Sequence, residues 1–178
     1  MHSPDILINA FVNELQTAYR CLELEEALFS ENDNVKLLKA NNFTWKTIQV
    51  SLTYTVLSHL AKLTEIKMGD NQEVASIYYL LGLKMNPYKG TVMKLKELRN
   101  NFLMHISANA HLNDAEKFYK KLDLTRKEIR ELMDGLFYLL NLIKLDSIEF
   151  KQTDFILLKK GLQQEAIRDA KELLKLYK

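Results

Sequence analysis

Proline and glycine are scarce in this chain, with 2 and 5 among 178 residues. So few breakers argue against a turn-rich fold and predict long helices joined by short connections. The single cysteine, Cys21, rules out an internal disulfide, and its neighbours Tyr19, Leu22 and Leu24 mark it as a small core hydrophobe rather than a reactive thiol. A targeting segment is also lacking, because "MHSPDILINAFVNEL" has no basic start, long apolar segment or small-residue cleavage site. The longest apolar runs, such as "GLFYLLNLI" at 135–143, fall short of the roughly 20 residues that cross a bilayer. A soluble, cytoplasmic protein with no membrane partner is expected.

Strong charge of either sign is missing, since the net charge is only +2. It is unevenly spread: residues 1–89 hold 8 Lys/Arg and 10 Asp/Glu, and residues 90–178 hold 17 and 13. A mildly basic C-terminal half permits nucleic-acid contact without demanding it. Several motifs are absent as well. No Gly-rich loop follows a strand, which excludes a dinucleotide fingerprint and a P-loop. The four histidines and one cysteine form no HExxH or CxxC, and no nucleophilic serine elbow is present. Neither a cofactor nor a metal is expected.

What remains is helical periodicity, in a chain that is 47% hydrophobic and 27% charged and of a length suited to one domain over 1–178. Ile8, Phe11, Val12, Leu15, Tyr19 and Leu22 predict a helix over 4–29, opened by Ser3-Pro4. Trp45, Ile48, Leu52, Val56, Leu60 and Leu63 predict a second over 43–68, ended by Gly69. Further helices are expected over 72–84, 91–107 and 113–121. Another begins behind a capping box of Thr125 and Glu128 and runs to Leu145, and a last one covers 154–176. "SIEF" at 147–150 is either a short strand or an extended connection. The expected architecture is an all-α, antiparallel bundle of four long helices with one or two short accessory ones. Glu23, Glu25 and Glu26 are expected to form a solvated face. Phe43, Trp45 and Tyr54 are expected in the core rather than on a base-stacking platform.

The stretch "LRNNFLMHIS" at 98–107 puts an arginine and a histidine into an apolar stripe. At about 100° per residue, Val92, Leu95, Phe102 and Ile106 all fall within about 60° of Arg99, and His105 lies about 120° away at the edge. Arg99, Phe102 and His105 then share one i, i+3, i+6 ridge, spanning about 9 Å along the axis. Such a pair suits phosphodiester chemistry. A guanidinium forks onto phosphate oxygens, and an imidazole exchanges protons near neutral pH. With RNA the ribose 2′-OH is itself the nucleophile, so no metal is required. Two copies across a two-fold axis would make a fuller site than one.

"RNNFLMH" at 99–105 resembles the Arg, polar residue, four spacers, His pattern of the HEPN superfamily, the nucleotide-binding domain of higher eukaryotes and prokaryotes. Together with the long first helix and "FTWKTIQVSLTYTVLSHLAKLTE" at 43–65, the organisation is similar to its abortive-infection-type branch. The resemblance implies an all-α homodimer and a metal-independent endoribonuclease of a toxin–antitoxin or phage-defence system, with RNA or a nucleotide as ligand and an antitoxin as partner protein. Its Arg and His carry over to Arg99 and His105, and its polar residue to Asn100, which would orient the histidine or the phosphate. Met104 departs from the small residue that many relatives have there. The competing expectation is a non-catalytic helical module that binds a nucleotide or a protein.

Overall fold

Five helices make up the described part of the chain, a computed structural model that describes residues 4–29, 42–65, 76, 88–100, 122–143, 150 and 152–175. They are α1 (Pro4–Phe29), α2 (Asn42–Leu63), α3 (Lys89–Leu98), α4 (Arg126–Ile143) and α5 (Phe155–Lys175). The fold is all-α, as the spacing of apolar residues predicts. The helices expected over 72–84 and 113–121, the distal half of the 91–107 helix, and most of "SIEF" lie outside the described residues.

Each helix forms because one face can be buried. α1 contributes Phe11, Leu15, Ala18, Tyr19 and Leu22 to the main core, where they meet Leu60 and Leu63 of α2, Leu95 and Leu98 of α3, Leu132, Leu136 and Phe137 of α4, and Phe155 of α5. Side chains of this size contribute about 1.5–3 kcal/mol each when fully withdrawn from water. The rings of Tyr19 and Phe137 meet edge to face, with centroids 5.2 Å apart. A smaller cluster at the other end joins Leu28, Trp45 and Ala170. Half-buried Cys21 packs against the main core, and burial pushes its thiol pKa up, in keeping with a structural role.

Contacts along the helices give their directions. Leu28 of α1 clusters with Trp45 of α2, while Glu14 pairs with Lys62 at 3.6 Å, so α1 and α2 are antiparallel. Tyr19 meets Phe137 and Glu23 meets Arg130, so α4 is antiparallel to α1 as well. α5 runs the other way. Lys159 lies over Tyr19, Gln163 bonds Glu23 and Ala170 sits beside Leu28, which makes α1 and α5 parallel neighbours.

The chain's local chemistry fixes several helix ends. The capping box at α4 forms as its spacing predicts: the Thr125 backbone N–H donates to Glu128 Oε2 at 2.8 Å and the Glu128 N–H donates to Thr125 Oγ1 at 3.2 Å. Asp154 caps α5, its Oδ1 accepting from the N–H groups of Ile156 and Leu157 at 2.9 and 3.1 Å. α2 stops at Leu63 rather than 68, its last turn tightened by the Glu65 N–H bonding Lys62 O at 3.1 Å. Where α3 meets α4, Tyr88 packs flat on Gly135; a Cβ at that glycine would lie 2.6–2.7 Å from Tyr88 ring carbons.

Candidate functional site

Arg99 follows directly on Leu98, which is fully buried and anchors α3 in the core. At 99–100 the winding widens from α to π type. Wider turns of this kind recur at functional sites, and they break the steady 100° step. Phe102, Met104 and His105 lie outside the described residues, whereas Arg99 and Asn100 are described.

The Arg99 guanidinium is about a quarter exposed and is held by Glu65, just past the end of α2, with Nη1 2.5 Å from Oε1. Among the described residues, this carboxylate takes one prong of the fork that an anionic ligand would use. Asn100 is exposed beside it. Behind Leu98 lies a cavity of about 230 Å³, walled by Val56, Leu57 and Ile129 and edged by Glu25, Thr53 and Arg126.

Of the carboxylates expected to form a solvated face, Glu23 and Glu25 are instead buried, which corrects the reading for those two, while Glu26 is 32% exposed. Glu23 and Glu25 are 4% and 3% exposed. Arg130 donates from Nη1 to Glu23 and from Nη2 to Glu26, each at 2.6 Å, and Gln163 donates to Glu23 at 3.0 Å. Glu25 accepts from Thr53 at 3.0 Å and from Arg126. Buried charges persist only when paired and hydrogen-bonded in this way. Burial and the adjacent Glu23 also push the Tyr19 hydroxyl pKa well up, keeping the phenol neutral. A cue was present in the sequence: Arg126 and Arg130 lie on one face of a helix, matching glutamates at spacings of two and three. Their partners are 101 and 107 positions away, and spacing alone cannot pair them.

The aromatic expectation is corrected in part. Trp45 is buried, edge-on to Phe29 with centroids 6.2 Å apart. Phe43 and Tyr54 are 84% and 49% exposed. Among the described residues no group of three or more His, Cys, Asp or Glu is placed to hold a metal ion, and no helix is long and apolar enough to cross a membrane.

The arrangement defines a class: an all-α bundle with an internal ion-pair seam and, beside the end of α2, the partly exposed Arg99 guanidinium. Compared with protein-family models, curated proteins and solved structures, the chain matches none of them.

Proposed function

We propose that the chain is a HEPN-like, metal-independent endoribonuclease of a toxin–antitoxin or phage-defence system, working in the cytoplasm as a homodimer. Arg99, Asn100 and His105 of both subunits would line one cleft. The observation that carries this reading is Arg99 itself, a partly exposed guanidinium at a change of helical winding, restrained by one exchangeable carboxylate. An RNA phosphate would displace Glu65 and take both prongs of the fork.

In this reaction the ribose 2′-OH attacks the adjacent phosphorus as His105 takes its proton, and the P–O5′ bond breaks. The leaving 5′ oxygen takes up a proton, and the other product ends in a 2′,3′-cyclic phosphate. Arg99 stabilises the charge that builds on the phosphoryl oxygens, and Asn100 orients the phosphate. Cleavage of labelled RNA in the presence of a chelator tests it. Arg99→Ala and His105→Ala are each expected to lower the rate by about 100-fold or more, and unchanged rates would remove these residues from the site. A strict monomer by light scattering would remove the shared cleft.

One observation favours a second reading, a non-catalytic module that binds a nucleotide or an antitoxin-like protein. The Arg99 guanidinium already has a carboxylate partner. Saturable binding without RNA turnover would support it.

A further inference from the structure

The outer face of α2 is a surface that the Arg99 site does not use. Phe43, Val50 and Tyr54 are 84%, 59% and 49% exposed. Their spacings of seven and four align them within about 40° on the helix. Lys46, Thr47 and Ser51 beside them are exposed too. Lys62, 59% exposed, lies further along. No aspartate or glutamate occurs anywhere in α2. Among the described residues, the carboxylates that reach the helix from its neighbours are each opposed by a cation: Glu25 by Arg126, Glu14 by Lys62 and Glu65 by Arg99. The face is therefore aromatic and cationic, with its nearby negative charge already neutralised.

Two alternative occupants fit less well. A buried aromatic side chain contributes about 150–250 Å², so three partly exposed residues fall well short of the roughly 800 Å² per partner of a stable dimer. A duplex also fails. Phe43 and Tyr54 are about 16 Å apart along the axis, and the bases within a duplex cover one another's faces, so neither ring could stack on one there. A nucleic acid that covers both rings must have its bases splayed apart.

We propose that this face binds single-stranded RNA, with Phe43 and Tyr54 each stacking on a base and Lys46 contacting a phosphate; RNA as the occupant rests on the nuclease reading above. α2 ends at the carboxylate that holds Arg99, so a strand laid along the row is led towards that guanidinium. Stacking supplies contact without sequence choice, since every base has a π-face.

The test is fluorescence anisotropy with a labelled, uncleavable 2′-O-methyl oligo(A) 12-mer and the full chain. Phe43→Ala and Tyr54→Ala are each expected to weaken binding by about 5- to 150-fold, while Phe43→Trp keeps it. Lys46→Gln should flatten the slope of log affinity against log salt by about 0.7. Because Phe43 is 84% exposed, its loss leaves the helical circular dichroism unchanged. Affinity that is indifferent to Phe43, or a Phe43→Ala variant whose only change is a smaller mass by light scattering, would overturn the proposal. The two readings fail separately. Binding that depends on Arg99 but not Phe43 sinks the α2 surface and spares the nuclease. Binding that depends on Phe43, without RNA cleavage, upholds the surface and sinks the nuclease.

Discussion

Two sets of ion pairs in this bundle are built from the same groups and serve opposite ends. Along the α1–α4 seam, Arg130 bridges Glu23 and Glu26, and Gln163 adds a further bond to Glu23. At the edge, Arg99 has Glu65. In the seam Glu23 has lost its water and depends on its cation, being 4% exposed, whereas Glu26 and Glu65 keep theirs at 32% and 31%. The two arginines are equally exposed, at 28% and 27%. The difference therefore teaches that burial of the carboxylate left behind, not the presence of a partner, sets the cost of breaking each pair.

The largest expected effect comes from breaking the seam. Arg130→Met leaves Glu23 charged and unpaired inside the bundle and should cost about 3–5 kcal/mol, read as a drop in the urea midpoint at unchanged slope. Adding Glu23→Gln and Glu26→Gln should recover much of that loss. No recovery would mean that the arginine acts through packing of its stem rather than its charge.

A middle case is the capping box of α4. Lys94, 2.7 Å from Glu128, is the main cause of that carboxyl's lowered pKa, followed by the Thr125 backbone N–H. A lowered folded-state pKa means that the stabilisation is complete above the unfolded value, about 4.3, and is lost as pH falls through the folded one. Thr125→Val, which removes the capping hydroxyl, should cost about 1 kcal/mol at neutral pH. Lys94→Met should flatten the acid limb of the stability profile below about pH 5. Denaturant titrations between pH 2 and 7 check both.

The smallest stability effect is expected at the edge pair. Glu65→Gln should change folding free energy by about 1 kcal/mol or less. It frees the Arg99 fork and should lower the KM for RNA severalfold in steady-state cleavage. A loss of activity as deep as that of Arg99→Ala would show that Glu65 is needed to aim the guanidinium, and the contrast between edge and seam would fail.

The elements with strong local signals were legible in the sequence. Periodicity located α1, α2, α4 and α5, and the spacing of Thr125 and Glu128 gave a helix start that the backbone bonds reproduce. Three features were not. The glutamate triplet was read as solvated because its arginines lie across the bundle, and no local pattern encodes that distance. Phe43 and Tyr54 were read as core because α2 carries apolar residues on two faces, and periodicity does not say which face is covered. Arg99 and Asn100 were legible by motif. The carboxylate that holds Arg99 was not, since Glu65 lies just past the end of α2 and no local pattern pairs the two.

The parallel pairing of α1 and α5 sets the distance between the first and last described helical residues. Pro4 and Lys175 lie at opposite poles of the bundle, separated by about 40 Å along the axis at roughly 1.5 Å per residue. A circular permutant that joins them would need a linker of about 12 extended residues, and a pair of dyes placed there would report whether the bundle stays at full length.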